Sequence, residues 1–173
     1  MTYLIIGNGV ASVGAIEGIR RKDKRGKIIV VSQEPEVTYG RPLISYYLAG
    51  KIGAEGLPLR AEEYYSDRKV ELRLGETVTS LDVEAKKAST DKGEIAYDKL
   101  LIATGGKPFV PPIPGKDGPG VYSFTTKAHA DQLIELASKV KKVVVIGGGL
   151  IGLKAAESLF DRGVDVSIVE LAS

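Results

Sequence analysis

Two glycine-rich turns in matching surroundings constrain the fold of this chain more than any other feature. The first begins at Gly7 and the second at Gly147, and each follows a short apolar run, "YLII" or "VVVI". A helical pattern follows each turn, and a second apolar run then ends near an acid, Glu34 or Glu170. This order is typical of a strand–turn–helix–strand unit in a parallel sheet. We therefore predict an α/β protein with two Rossmann-like units.

The glycine spacing predicts what each unit binds. The first glycine allows the tight turn, the second lets the backbone approach a pyrophosphate, and the third lets the helix pack on the strand. The helix N-terminus then faces the phosphates, and the acid about twenty residues later accepts hydrogen bonds from ribose hydroxyls. Glycines that serve turn geometry alone are the alternative. Two such turns favour a chain that holds two dinucleotides, a flavin and a nicotinamide.

These positions define two sets of predicted nucleotide-binding residues. Ser12 takes the place of the third glycine in the first turn, and we expect its small side chain to pack tolerably there. The first set comprises Gly7, Gly9, Ala11, Ser12 and Glu34. The second set comprises Gly147, Gly149, Ile151, Gly152 and Glu170.

Composition favours a soluble globular protein and narrows its functions. Hydrophobic residues make up 43% and charged residues 27% of the 173 positions, and we expect no membrane span, which needs roughly 18 apolar residues in a row. The net charge of +2 predicts no nucleic-acid partner. We expect no metal site, since no cluster has metal-ligand spacing. The early first strand predicts no signal peptide, and the absence of cysteine agrees with a cytoplasmic location.

A stretch rich in proline and glycine, "PFVPPIPGKDGPG", divides the chain because it cannot form a regular element. We place the first nucleotide-binding domain at residues 1–111, a linker at 112–120, and an amphipathic linker helix with the start of the second domain at 121–173. The linker helix is predicted over residues 128–140. The chain ends soon after Glu170, so we expect only the first βαβ unit of the second domain. Its exposed apolar surfaces would allow aggregation or homo-oligomerisation.

The segment "DKLLIATG", from Asp98 to Gly105, resembles the pyridine nucleotide-disulfide oxidoreductase superfamily, as do the two glycine turns. The resemblance covers the whole chain. It implies that FAD binds the first domain, with Ala103, Thr104 and Gly105 on the flavin side, and that NAD(P)H binds the second. In that family a segment after the NAD domain completes the FAD domain, and this chain lacks it. We therefore expect the chain to be inactive alone.

The absence of cysteine selects a branch of this superfamily. The disulfide reductases and the NADH oxidases use cysteine near the positions 43–47, and this chain has none, which excludes thiol chemistry. Arg41 and Pro42 resemble the Arg-Pro of the cysteine-free ferredoxin, rubredoxin and nitrite reductase flavoproteins. The resemblance implies that both lie at the cofactor, with the guanidinium near the pyrophosphate or the flavin, whereas a surface arginine is the alternative. The stretch "YGRPLISYYLAG" looks closest to the NADH-dependent nitrite reductase large subunit and related NAD(FAD)-dependent dehydrogenases.

The resemblance implies an FAD-dependent NADH oxidoreductase. In these proteins NADH gives a hydride to FAD, and electrons pass on to an iron–sulfur, siroheme or rubredoxin-type partner. We predict no catalytic side chain, because the flavin supplies the chemistry. Glu170 favours NADH over NADPH, since a 2′-phosphate would meet a like charge. A non-catalytic flavin- or nucleotide-binding module, or an inactive fragment, is the alternative.

Two further positions have two interpretations each. The resemblance places the backbone of Val78 against the adenine, whereas its side chain also suits a plain core position. Lys154 stands where many relatives carry a glutamate that faces the junction of nicotinamide and flavin. A lysine there would favour an anionic reduced flavin. A solvent-facing lysine in the first turn of its helix is the alternative.

Overall fold

The apolar runs of the sequence form strands in the computed structural model, which describes residues 1–171. In chain order the strands are β1 (Thr2–Ile6), β2 (Lys27–Ser32), β3 (Val70–Leu74), β4 (Val78–Asp82), β5 (Lys87–Thr90), β6 (Gly93–Ala96), β7 (Lys99–Ile102), β8 (Lys142–Ile146) and β9 (Asp165–Val169). The helices are α1 (Val10–Lys22), α2 (Ile44–Leu48), α3 (Glu62–Asp67), α4 (Lys127–Ala137) and α5 (Leu150–Asp161), with 3₁₀ turns at Arg41–Leu43 and Ala54–Gly56.

The chain divides into two units. Unit 1 comprises Met1–Tyr39 and Pro58–Gly106, and unit 2 comprises Gly40–Leu57 and Lys107–Ser173. The segment that carries the Arg-Pro pair therefore packs with the later part of the chain, although it lies between the two segments of unit 1. The domain boundaries at residues 1–111, 112–120 and 121–173 stay a prediction.

Unit 1 is built on a parallel sheet of order β3-β2-β1-β7. Successive side chains of a strand point to opposite faces, so β1 contributes to two cores. Leu4 and Ile6 pack on the side that holds residues of the antiparallel sheet β4-β5-β6. Ile5 packs on the other side, against Ile16 of α1 and Tyr65 of α3. These layers place the carboxyl ends of β1, β2, β3 and β7 along one edge of the sheet.

Unit 2 contains the parallel pair β8-β9 and the helices α2, α4 and α5. Its buried cluster joins Leu48 of α2 to Leu133 of α4, to Leu159 of α5, and to Val164 in the turn between α5 and β9. Several apolar side chains of this strand pair remain exposed, namely Val144, Ile146, Ile168 and Val169. Exposed apolar strand surface of this kind was expected from the sequence.

The predicted fold class is confirmed. The first unit has the parallel sheet of a Rossmann-like domain, and a single βαβ unit, β8-α5-β9, follows in the second. The linker helix α4 ends at Ala137, not at residue 140 as predicted, because the N–H of Lys139 donates to the carbonyl of Leu136, three residues back, instead of the carbonyl of Glu135 that a continued α-helix would use. Val140 still packs on the core of unit 2. Within residues 1–171, no helix is long and apolar enough to cross a bilayer.

Candidate dinucleotide-binding sites

The first glycine turn directly follows β1 at the carboxyl edge of the parallel sheet. Gly7 has a φ of +104°, which favours glycine, and its N–H donates to the carbonyl of Val31 at 2.7 Å. A β-carbon on Gly7 would overlap the carbonyl of Ala103 and lie 2.9 Å from the nitrogen of Thr104. Both the backbone conformation and the close approach of the chain after β7 therefore require glycine at this position.

Gly9 caps α1 and leaves space beside the helix N-terminus. Its φ of -96° is open to any residue, yet a β-carbon here would meet no atom within 4 Å. Ala11, in the first helical turn, is exposed. The leading N–H groups of a helix lack intrahelical partners and attract anions. This open space leaves room for a dinucleotide pyrophosphate at these N–H groups, and that contact stays a prediction.

The two turns differ at the third position of the glycine motif, which is Ser12 in the first turn and Gly152 in the second. Ser12 is fully buried in the first turn, and its hydroxyl donates to the carbonyl of Gly9 at 2.8 Å. The serine is thus accommodated, as expected. In the second turn a β-carbon on Gly152 would overlap the carbonyl oxygen of Gly147 and lie 3.4 Å from a methyl carbon of Val145. Only the second turn requires a glycine at this position for packing.

Glu34, which follows β2, lies half-buried at the same edge of the sheet. The hydroxyl of Tyr39 donates to its carboxylate at 2.5 Å, and its backbone carbonyl accepts the N–H of Gly75 at 3.3 Å. The carboxylate is therefore oriented by a tyrosine that the sequence analysis did not single out. A role of Glu34 toward ribose hydroxyls stays a prediction.

The structure brings Ala103, Thr104 and Gly105 to the first glycine turn. Strand β7 pairs with β1, and the N–H of Ala103 donates to the carbonyl of Ile6 at 2.7 Å. Thr104 and Gly105 are exposed, and Gly105 has a φ of +71°. Val78 lies half-buried in β4 and packs against the core of unit 1, which fits the plain core interpretation.

Arg41 and Pro42 belong to unit 2, whereas the first glycine turn belongs to unit 1. Arg41 is exposed, and one guanidinium nitrogen donates to the carbonyl of Thr125 at 2.7 Å. The carbonyl of Pro42 accepts the hydroxyl of Ser45 at 2.9 Å. These contacts fix the short 3₁₀ turn within unit 2, and the predicted contact of both residues with a cofactor stays a prediction.

The second glycine turn repeats the geometry of the first. Gly147 has a φ of +106°, and its N–H donates to the carbonyl of Val169 at 2.8 Å. Gly149 caps α5 in an extended conformation, and a β-carbon on it would meet no atom within 4 Å. Ile151 in the first turn of α5 is 60% exposed. The second turn therefore has the same opening beside a helix N-terminus.

Glu170 lies over the second turn. Its carboxylate accepts the N–H of Gly148 at 2.5 Å and the N–H of Leu171 at 2.7 Å. Glu170, the predicted ribose-binding acid, is thus hydrogen-bonded to the turn itself. The two residues are far apart in sequence, so the sequence did not predict this contact. Ala172 and Ser173, which follow Leu171, lie outside the described part of the chain.

Lys154 on α5 forms an ion pair with Glu157 at 2.7 Å. The hydrogen bond that Lys154 donates to the carboxylate of Glu157 raises the pKa of Lys154 above its ordinary value, so the ammonium form is favoured. Lys51 forms a similar pair with Asp161 at 2.7 Å. These contacts agree with a solvent-facing lysine, and a role at a junction of nicotinamide and flavin stays a prediction.

Polar side chains that no sequence pattern indicated support the first turn. The amide oxygen of Asn8 accepts a hydrogen bond from Thr38 at 2.8 Å and lies 3.2 Å from the hydroxyl of Tyr65. The one sequence feature that could have indicated a role for Asn8 is its position between Gly7 and Gly9. In the part of the chain that the structure describes, no group of three or more His, Asp or Glu side chains could hold a metal ion.

The complete chain, residues 1–173, matches the family model described as pyridine nucleotide-disulphide oxidoreductase. The nitrite reductase (NAD(P)H) of Bacillus subtilis (strain 168) is 39% identical over 98% of this chain and 21% of its own length. The rhodocoxin reductase of Rhodococcus erythropolis is 36% identical over 98% of this chain and 40% of its own length.

Solved structures agree with these sequence matches. The ferredoxin reductase for the CYP199A2 system from Rhodopseudomonas palustris superimposes with a TM-score of 0.89 at 32% identity, over 99% of this chain and 43% of that chain. The chain therefore spans between 21% and 43% of the length of these three proteins.

Proposed function

The chain belongs to the pyridine nucleotide-disulphide oxidoreductase family. We therefore propose that it functions in an FAD-dependent NADH oxidoreductase, which passes electrons to a redox partner. The family membership confirms the resemblance drawn from the sequence. FAD and NAD(H) are the cofactors expected of this family, and the two glycine turns are the positions where this chain would hold them. A redox partner of iron–sulfur, siroheme or rubredoxin type belongs to the proposal.

The repeated turn is the observation that carries the proposal. Both turns start with a glycine of nearly equal φ, and in both the N–H of that glycine donates to the last part of the neighbouring strand. Both leave open space at the glycine that caps the following helix, Gly9 or Gly149. Turn geometry alone does not account for this open space beside two helix N-termini, whereas phosphate binding does.

We assign FAD to unit 1 and NADH to unit 2. Unit 1 holds the first turn, Glu34 and the segment after β7, which meet at one sheet edge. Unit 2 holds the second turn and Glu170. FAD, when bound, supplies the hydride-accepting and electron-passing chemistry. The side chains of this protein would bind and orient the nucleotides, and none is assigned a catalytic proton transfer.

The absence of cysteine supports an electron-transfer branch over a thiol-dependent one. The rhodocoxin reductase and the ferredoxin reductase named above carry the names of their redox partners, and the nitrite reductase carries the name of its reaction. We propose a partner protein or domain of that general kind for this chain. A cytoplasmic location and self-association stay predictions.

A spectrum of the purified protein tests the proposal. Bound flavin gives visible absorption, and FAD added to a colourless preparation should be taken up at tens of micromolar. Bleaching of the flavin band when NADH is added without oxygen would support the oxidoreductase and contradict the expected inactivity of this chain alone. A protein that takes up no FAD would contradict the assignment of unit 1.

The same experiment distinguishes the proposed oxidoreductase from the alternative function, a non-catalytic flavin- or nucleotide-binding module. Such a module would take up FAD with an unchanged spectrum after NADH is added. Gly9→Ala serves as the matched control, because its β-carbon would fill the space assigned to the pyrophosphate without meeting a protein atom. Uptake of FAD by this variant equal to that of the unchanged protein would show that flavin binds elsewhere.

A further inference from the structure

A buried network of three polar side chains supports the first glycine turn. The amide oxygen of Asn8 accepts a hydrogen bond from the hydroxyl of Thr38 at 2.8 Å, and the hydroxyl of Tyr65 lies 3.2 Å from it. Thr38 is fully buried, and Tyr65 is 2% exposed. The network therefore joins the turn to the loop after β2 and to α3, all of which belong to unit 1.

Thr38 and Tyr65 are hydrogen-bonded to each other as well as to the turn. The hydroxyl of Tyr65 donates to the hydroxyl oxygen of Thr38 at 2.7 Å and accepts the backbone N–H of Thr38 at 3.3 Å. The hydroxyl of Thr38 also lies 3.0 Å from the backbone carbonyl of Asn8. Both the side chain and the main chain of Asn8 are thereby held by groups that solvent does not reach.

Stability of the fold alone does not explain Asn8. Its amide nitrogen is buried and has no hydrogen-bond partner among the described residues. A buried donor without a partner lowers stability, so a residue without that donor would suit the fold better. The amide oxygen is the useful atom, because it connects the turn between Gly7 and Gly9 to the rest of the network.

We propose that Asn8, Thr38 and Tyr65 are positioning residues that hold the Gly7–Gly9 turn in its phosphate-binding shape before a nucleotide arrives. The identity of that nucleotide as FAD rests on the proposed function. A turn that is already ordered loses less freedom when a ligand binds, so the ligand binds more tightly. The backbone N–H groups at the start of α1 would then meet the phosphates without rearrangement.

Two pairs of variants test the proposal. Tyr65→Phe and Thr38→Val each remove a hydroxyl of the network, whereas Thr38→Ser keeps it. Tyr64→Phe is the matched control, since the hydroxyl of the neighbouring Tyr64 lies 3.3 Å from the carbonyl of Val13, outside the network. We expect the dissociation constant for FAD to rise about fivefold in Tyr65→Phe and Thr38→Val, the effect of one lost hydrogen bond. Thr38→Ser and Tyr64→Phe should stay within about twofold of the unchanged protein.

Titration with ADP separates the turn from the flavin part of the site, because ADP carries the adenosine and two phosphates without the isoalloxazine. We expect the same rise of about fivefold for ADP in Tyr65→Phe. A merely structural role would lower the denaturation midpoint of the nucleotide-free protein in both tyrosine variants and leave both dissociation constants unchanged. That result would overturn the proposal.

Amide hydrogen exchange of the nucleotide-free protein gives a test that does not depend on FAD. We expect the amides of the turn to exchange about fivefold faster in Tyr65→Phe than in Tyr64→Phe. Equal exchange in the two variants would overturn the proposal. If the unchanged protein binds no FAD while this difference in exchange persists, the proposed function fails and the positioning role stands.

Discussion

The carbonyl oxygen of Ala103 lies only 2.3 Å from the position that a β-carbon on Gly7 would take. The two residues meet because β7 pairs with β1, which brings the N–H of Ala103 to the carbonyl of Ile6 at 2.7 Å. The first glycine turn and the segment "ATG" are distant in sequence but form one structural feature. The glycine is needed for this contact before any nucleotide is considered.

Gly7→Ala should therefore damage the fold itself. The added methyl group would overlap the backbone of Ala103, and a φ of +104° is unfavourable for alanine. We expect a loss of about 3 kcal/mol in the free energy of unfolding, as is typical for overpacking combined with backbone strain. Urea denaturation followed by circular dichroism measures it.

Gly9→Ala is the control for that variant. Its β-carbon would meet no protein atom, and its φ of -96° suits alanine. We expect the free energy of unfolding to change by less than about 1 kcal/mol, while the FAD affinity falls at least tenfold, roughly 1.4 kcal/mol. If both variants lose stability equally, the distinction between a packing glycine and a phosphate-facing glycine is wrong.

The third position of the second turn gives a separate prediction. Gly152→Ser copies the residue that the first turn carries at Ser12, yet its β-carbon would overlap the carbonyl of Gly147. We expect a loss of about 2 kcal/mol in stability from this overpacking, read from denaturant unfolding. Gly149→Ala, whose β-carbon meets nothing within 4 Å, should unfold like the unchanged protein. Tolerance of serine at position 152 would show that the second turn can shift to accommodate a side chain there.

The sequence was sufficient for features that depend on neighbouring residues. The spacing of the glycines and the apolar runs predicted both turns, their strands and the α/β class, because each depends on a few consecutive residues. The end of α4 was placed too late, since Val140 keeps the apolar spacing of the helix although the regular hydrogen-bond pattern already breaks at Lys139, whose N–H donates to Leu136 three residues back. Apolar periodicity reports which residues are packed and not where the helical hydrogen bonds stop.

Features that depend on distant residues were not predictable. Leu48 of α2 packs on Leu133 and Leu159, which assigns the Arg-Pro segment to unit 2, and no local pattern reports such a contact. The hydrogen bonds of Thr38 and Tyr65 to the first turn could not be predicted from the sequence either, because threonine and tyrosine hydroxyls can bond to many different partners. The candidate site is therefore predictable in its glycines and acids and not in the groups that orient them.

Tyr97 offers a substitution that should raise stability. Its side chain is 7% exposed in the core of unit 1, and its hydroxyl is buried without a hydrogen-bond partner among residues 1–171. Tyr97→Phe removes this unmet group and should stabilise the protein by about 1 kcal/mol. Tyr64→Phe is the comparison, because that hydroxyl has the carbonyl of Val13 as an acceptor, and it should be neutral or destabilising. Denaturation midpoints that fall in Tyr97→Phe would contradict the prediction.

Asp23 should contribute to acid lability. The backbone N–H groups of Arg25 and Gly26 donate to its carboxylate and hold its pKa below the ordinary value of 3.8. A lowered pKa means that this stabilisation is complete above about 3.8 and is lost as the pH falls through the lower value of the folded protein. In Asp23→Asn the amide oxygen can still accept hydrogen bonds but cannot titrate. We expect the stability advantage of the unchanged protein to vanish in this acid range, which urea unfolding across pH measures; a constant difference would contradict it.

Glu170 should make the second site prefer NADH over NADPH. Its carboxylate lies at the second turn, joined to the N–H of Gly148 at 2.5 Å, so a 2′-phosphate brought to the same place would meet a like charge. We expect the unchanged protein to bind NADH at least tenfold more tightly than NADPH, roughly 1.4 kcal/mol.

Two variants separate the charge of Glu170 from its hydrogen bonds. Glu170→Gln keeps an acceptor oxygen for Gly148 and for ribose hydroxyls while removing the charge, so it should bind NADPH more tightly than the unchanged protein does and keep part of its NADH affinity. Glu170→Ala removes both and should bring the two dissociation constants within about threefold, because neither the repulsion nor the ribose contact remains. Calorimetric titration with each nucleotide provides the constants. An unchanged ratio in Glu170→Ala would mean that another group sets the preference, and tighter binding of NADPH to the unchanged protein would refute the assignment of this acid.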